Sequence, residues 1–492
     1  MPQRRRPTKE VQSATHDELL VGLVAGVGAP LEIVQQVLTQ ELRRVGYDTP
    51  VIHLSQLTKR FQLPTPFPSA SSPEALRIDA MMNRGDEARA STSRNDILAL
   101  VAVGDIRVRR GPGTTPLSNQ AMVLRQLKHP EEVFLLRRTY GDGFHVLGIH
   151  CPRRLRERNL RRRGCTPKDV ARLIARDEHE PSESGQRLRD TFHLADIFVE
   201  VTDHRKDLRD QIRRFLDLLL GLRIIGPTLD EFGMFQAYAN ALRSSQLGRQ
   251  VGAAVLSPAG DLLAVGTNEV PRCGGGVYWE GNQPDARDHK RGRDSTDEMT
   301  EEIVREITAR LEPRWPHLSQ AQQKQRVAAN VPKLRSTTAT SLTEFGRAVH
   351  AEAEAILSAA RIGVRICGGR LYCTTFPCHV CAKHIVAAGI EDVVYIEPYP
   401  KSRASTLFED SISVEDRREN RVAFRPFVGV APRRYIDFFS MRTPEGTDIR
   451  RKDSSGRAIE GVRNPRLRMP YLSALDREKI AAQKLGKIRQ GG

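Results

Sequence analysis

Through residues 1–222, short apolar runs alternate with amphipathic stretches of helix length, an order that few folds accept. ELLVGLVAGVG, TPVIHLS, EVFLLRR, FHVLGIHC and ADIFVEV read as strands. LEIVQQVLTQELRRVGY, PRRLRERNLRRRG and HRKDLRDQIRRFLDLLLG read as helices. Strands of a parallel sheet carry continuous apolar runs because helical crossovers bury both faces. Residues 1–222 are therefore predicted to form one α/β domain on a five-stranded parallel sheet.

A chain of 492 residues exceeds what a single hydrophobic core supports, so more than one domain is expected. RIIGPT, residues 223–228, carries the Gly-Pro punctuation of a boundary. A second domain is predicted over residues 228–442. It comprises the helix DEFGMFQAYANALRSS, the strands QVGAAVLSP and LLAVGTN joined at Ala259-Gly260-Asp261, a helix after His350, the strand GRLYCTTF, a helix from Cys378 and the strand EDVVYIE. Charge-rich residues 281–343, including the helix-like STDEMTEEIVREITARLE, interrupt it as an insertion. Residues 443–492 are basic and poor in aromatics, which predicts a loosely docked or disordered tail.

The formal charge of +17 points to polyanionic partners, whether nucleotides, nucleic acid or phosphate. Aromatic residues are only 5% of the chain and do not interleave with the basic stretches, as a stacking platform for single strands requires. No apolar run is long enough to span a bilayer, and the N-terminal MPQRRRPTKEVQ is not followed by the apolar core of a secretory signal. A cytoplasmic protein without membrane contact is expected. Seven cysteines, an odd number, argue for reduced thiols used in packing or metal binding.

His350-Ala351-Glu352 precedes Pro377-Cys378-His379-Val380-Cys381, which together make the H-x-E and P-C-x-x-C pair of the zinc deaminases. Cys378 and Cys381 stand three apart at a helix start and share a face, so both sulfurs reach one ion. The helix N-terminus and the ion each favour thiolate. With His350 as third protein ligand, a fourth tetrahedral position stays open for water, the mark of catalytic rather than structural zinc. Glu352 is then the proton carrier for attack on a cytosine C4. Two other readings of the motif are a structural zinc closed by Cys373, His379 or His384, and a redox C-x-x-C pair.

The segments RQVGAAVLSPAGDLLAVGTNEVP, VHAEAEAI and LYCTTFPCHVCAKHIVAAGIEDVVYIEPYPKS resemble the deoxycytidylate deaminase family. The resemblance implies a cytidine-deaminase-like α/β/α domain, deoxycytidine nucleotides as substrates, a sugar contact from Asn268 and a homo-oligomer. Just past the last core strand, Lys401 and Arg403 are candidates for the substrate phosphates. Combined with the N-terminal domain, the chain is similar to the bacterial antiphage dCTP deaminases, which implies conversion of dCTP or dCMP to dUTP or dUMP during infection. That group also implies control by an inhibitory small RNA. The competing functions are a deaminase acting on bases in RNA or single-stranded DNA, and a nucleotide- or RNA-responsive binding protein with a vestigial centre.

VGLVAGVGAPLE follows the first strand and opens a helix, where a P-loop belongs. Gly26 and Gly28 suit backbone contact with an anion. Leu31 and Glu32 stand where the lysine and the hydroxyl residue of that motif are required, so phosphoryl transfer is not expected. The domain resembles a P-loop nucleotide kinase that has lost activity, with nucleotide binding or scaffolding as its remaining role.

Overall fold

A computed structural model describes residues 15–490, apart from position 17 and positions within 112–118, 179–183, 335–345, 400–401, 415–418, 444–447 and 464–468. The chain divides into two compact units, Met1–Glu231 with Val428–Gly492, and Phe232–Phe427.

The first unit is built on strands β1 (Leu19–Ala25), β2 (Val51–His53), β3 (Ala121–Arg125), β4 (Phe144–His150) and β5 (Ile197–Glu200). They pair in the order β2-β3-β1-β4-β5, all parallel. Every residue of β1 is buried, as a central strand covered on both faces must be. Helix α1 (Leu31–Arg44) turns Val34, Val37, Leu38 and Leu42 onto this sheet, at helical spacing.

One expected strand is a helix. EVFLLRR lies in Pro130–Tyr140, where the His129 side chain accepts the Glu131 N–H, Glu132 reaches back to the His129 N–H, and Pro130 fills the first turn. A capped entry and helical burial of Val133 and Leu136 outweigh the strand-like run of apolar residues. The strand in its stead is β3, a short, almost wholly buried AMVLR.

The expectation of a loose C-terminal tail is also overturned. Within it, Leu467 joins the core of the first unit; ahead of it, in residues expected to belong to the second domain, Gly429–Val430 adds an antiparallel edge to β5 and Val430 and Phe438 join the same core, so the second unit ends at Phe427 and not at 442. The C-terminal helix Tyr471–Gln490 packs on Ile97–Arg110 and Pro130–Tyr140. There Arg110 contacts Glu18 at 2.5 Å and Glu478 at 3.1 Å, and all three side chains are nearly inaccessible to water. A composition low in aromatics conceals this docking, because a buried charged triad and small apolar residues such as Ala481 hold the helix.

In the second unit the strands are β6 (Gly252–Leu256), β7 (Leu262–Thr267), β8 (Arg370–Thr375), β9 (Asp392–Glu397), β10 (Ile412–Val414) and β11 (Val422–Pro426). Their order is β10-β11-β9-β8-β6-β7. The first four in that order are mutually parallel, and β6 is antiparallel to both its neighbours. Charge-rich residues between β7 and His350 contain two helices packed on each other, Ser295–Leu311 and Gln320–Leu334. No helix among the described residues is long and apolar enough to cross a membrane.

Candidate metal centre

Two helices begin at the centre. His350 is the N-cap of helix Ala351–Ile362, and Cys378 is the N-cap of helix His379–Ala387, with Cys381 in the first turn of the latter. Gly266 on β7 sets the first helix close to the sheet: a Cβ there would lie 2.0 Å from the Ala351 carbonyl oxygen and 2.5 Å from the Ala355 nitrogen. Only glycine permits that approach. Ser402 Oγ, donating to the Pro377 carbonyl at 2.8 Å, ties down the loop that carries Cys378.

His350 Nδ1 lies 3.3 Å from Cys378 Sγ and 3.4 Å from Cys381 Sγ. A tetrahedral zinc, with bonds of about 2.3 Å to sulfur and about 2.0 Å to nitrogen, holds such donors about 3.6 Å apart, so the set fits this ion. Among the described residues, the cluster contains these three donors and no fourth. Cys373, His379 and His384, the expected candidates for a fourth ligand, stand outside it. Cys378 is 4% and Cys381 1% exposed, so a bound ion is shielded on the protein side.

Electrostatics reinforce the geometry. A hydrogen bond from Cys381, together with His350, pulls the Cys378 thiol down to about 4. The hydrogen bond to Cys378, aided by the Glu352 charge, raises His350 to about 9. Glu352 is buried beside this cluster, and that burial lifts its carboxyl to about 6, within reach of both protonation states near neutrality. The buried Cys373 thiol on β8 interacts with Glu352 and is pushed well above its ordinary value by burial. Sequence reasoning offered Cys373 only as a possible fourth ligand of a structural zinc and missed its place beside Glu352, since no motif links a strand residue to a carboxylate more than a helix away.

Asn268, at the end of β7, accepts the Val251 N–H through Oδ1 at 2.6 Å and donates through Nδ2 to the Arg249 carbonyl at 2.8 Å, so its amide closes the β6–β7 pair. Arg403 is exposed at the start of a short helix, next to Ser402. Lys401 lies outside the described residues.

Gly26 and Gly28 sit at the carboxyl end of β1, on the wall of a cavity of about 270 Å³ that also contains Arg77, Arg125, Lys128 and Asp177. An internal carboxylate already engages their loop: Asp177 Oδ2 accepts the Val27 N–H at 2.6 Å, while its Oδ1 meets Lys128 Nζ at 2.6 Å. Arg156 Nε donates to the Val27 carbonyl, and Asn159 Nδ2 to that of Gly28. Asp177 and Lys128 are far from the glycines in sequence and carried no local signal.

Residues 227–397 match the family described as cytidine and deoxycytidylate deaminase zinc-binding region. A probable deoxycytidylate deaminase of Drosophila melanogaster is 46% identical over 74 residues, covering 14% of this chain and 36% of its own. ComE operon protein 2 of Bacillus subtilis is 42% identical over 71 residues, 14% of this chain and 38% of its own. The chain thus spans little more than a third of these curated relatives. The apo crystal structure of dCMP deaminase from cyanophage S-TIM5 is 19% identical and covers 41% of this chain and 100% of its own, at a TM-score of 0.23. Residues 227–397, which hold His350, Cys378 and Cys381 at their two helix starts, are thus similar to the zinc-binding region of the cytidine and deoxycytidylate deaminases.

Proposed function

We propose that the chain hydrolytically deaminates the cytosine ring of deoxycytidine nucleotides, taking dCMP or dCTP to dUMP or dUTP. The observation that carries this reading is the three-donor cluster with the buried carboxyl of Glu352 beside it. His350, Cys378 and Cys381 would hold zinc, whose Lewis acidity, when bound, brings the pKa of a water towards neutrality. In the overall change, oxygen replaces the amino group at C4 and ammonia leaves. Glu352 takes one proton from the attacking water and delivers it to ring N3, then takes the remaining proton from the C4 hydroxyl and gives it to the C4 nitrogen, which leaves as ammonia while C4 becomes a carbonyl. Its raised pKa suits a group that must both accept and donate near pH 7.

The first unit reads as a kinase-like fold without phosphoryl transfer, supported by the strand order and by the Asp177 carboxylate on the Gly26 loop. Its pairing with a deaminase centre supports a role in depleting deoxycytidine nucleotides during phage infection.

Purified protein is to be offered dCMP, dCTP, CTP, deoxycytidine and cytosine-containing oligonucleotides, with ammonia and uracil products measured. Turnover of the deoxynucleotides is expected, and Glu352→Ala should lower it by roughly two to four orders of magnitude with zinc content unchanged. Conversion of oligonucleotides alone would overturn the substrate, and undiminished turnover in the variant would overturn the role of Glu352. Plaque counts with cells carrying either form test the defence role.

A further inference from the structure

The chain segment that was expected to hang loose folds back on the end of helix Arg205–Leu219 and encloses a second cavity, of about 340 Å³, in the first unit. Backbone bonds fix its frame: the Arg466 N–H donates to the Leu219 carbonyl at 3.0 Å, and the Gly461 N–H to that of Leu222 at 2.7 Å. Five arginines line it, namely Arg223, Arg450, Arg451, Arg463 and Arg466, and among the described residues no acidic one does.

Concentrating guanidinium groups in this way is costly unless an anion joins them. Arg450, Arg451 and Arg466 have no carboxylate partner among the described residues, although Arg466 is only 5% exposed and donates to the Ser440 carbonyl. Burial and the neighbouring Arg451 charge hold Arg466 below the ordinary arginine range. Nε of Arg451 is buried without a hydrogen-bond partner among the described residues. The acids nearby are already engaged, Asp217 with Arg44 at 2.8 Å and Arg223 at 4.0 Å, and Glu460 with the Ile224 N–H at 3.0 Å.

We propose that this arginine cavity binds the phosphate chain of a free nucleoside di- or triphosphate, at a site separate from the metal centre. Planar guanidinium forks match phosphate oxygens in pairs, and several arginines around one small volume match the closely spaced charges of a polyphosphate. The cavity's volume falls in the range of small-molecule sites, about 300–1,000 Å³. Ile224 and Val462, 39% and 63% exposed, offer apolar surface for the nucleoside. A nucleic-acid strand is disfavoured, because such sites are extended grooves with aromatic platforms and no aromatic residue lines this cavity.

The proposal does not depend on deamination, and its test uses probes without a cytosine. Full-length protein is titrated calorimetrically with inorganic tripolyphosphate, with ATP, and with a cytosine-free oligonucleotide at physiological salt. Saturable binding of tripolyphosphate and ATP is expected, with ATP the tighter. Arg451→Ala and the exposed Arg450→Ala should each weaken both by about tenfold, the scale of one charge-assisted hydrogen bond, while deaminase turnover persists. If Arg451→Ala fails to fold, Arg450→Ala and Arg223→Glu, both at exposed positions, decide the question. Absence of binding, affinity unchanged in the folded variants, or oligonucleotide binding that tripolyphosphate does not displace would each overturn the proposal.

Discussion

The carboxylate of Asp177 accepts the backbone N–H of Val27 at 2.6 Å, so a side chain of the protein itself occupies a donor of the loop between Gly26 and Gly28. Its other oxygen holds Lys128. Asp177→Ala leaves that lysine without its counter-charge in a largely buried site and should destabilise the first unit by roughly 3 kcal/mol. Denaturant unfolding measures this, and an unchanged midpoint would refute the clamp. Neither the parent nor the variant should transfer phosphate from ATP to a nucleoside monophosphate.

Gly266 offers a second test, beside the metal donors without being one of them. Its missing Cβ leaves room for the Ala351 carbonyl, so Gly266→Ala must push away the helix that carries His350 and Glu352. A loss of about 3 kcal/mol is expected, with lower zinc content in purified protein. Metal analysis and thermal melts that match the parent would show that the helix yields without disturbing the centre.

Acid sensitivity should come in part from His145. The ring is 1% exposed, neither nitrogen has a hydrogen-bond partner among the described residues, and burial, with Arg434 and Arg137 nearby, lowers it to about 3. An unfolded chain protonates this histidine near pH 6.5, whereas the folded one does not. Stability from this group is therefore complete above about pH 6.5 and falls by about 1.4 kcal/mol per pH unit on acidification until pH 3 is approached. His145→Leu should remove that share of the slope in urea titrations run from pH 7 to pH 4. An identical slope would place the sensitivity elsewhere.

Arg110 stands between two buried carboxylates, and both Glu18 and Glu478 are raised above their ordinary values by that burial. Arg110→Ala removes the one cation bound by both and is expected to cost roughly 3–5 kcal/mol. Limited proteolysis should then cleave helix Tyr471–Gln490 first. Protection equal to that of the parent protein would mean that apolar contacts, such as Leu485 against Gly104, suffice to hold the helix.

The metal centre was legible because each donor lies beside another in sequence or at a helix start, so spacing alone determines which atoms meet. Helix and strand type were legible where a run was long or punctuated, as in α1 and β1. EVFLLRR misled because a short apolar run has no period of its own, and the deciding signal lay outside it in His129, Pro130 and Glu132. Nothing local foretold that Arg466 would meet Leu219, or that Glu478 would meet Arg110, since those contacts join positions hundreds of residues apart. The Asp177 clamp is of the same kind. Long-range charge pairing leaves no periodicity to read.

Because Val430, Phe438 and Leu467 belong to the core that begins at Leu19, the first unit stays incomplete until the ribosome has passed Leu467. Phe232–Phe427 has all its strands in hand earlier. Synthesis should therefore deliver a finished metal-binding body while the first unit still waits for residues 428–467, and pulse proteolysis of stalled nascent chains should find protection appearing in that order.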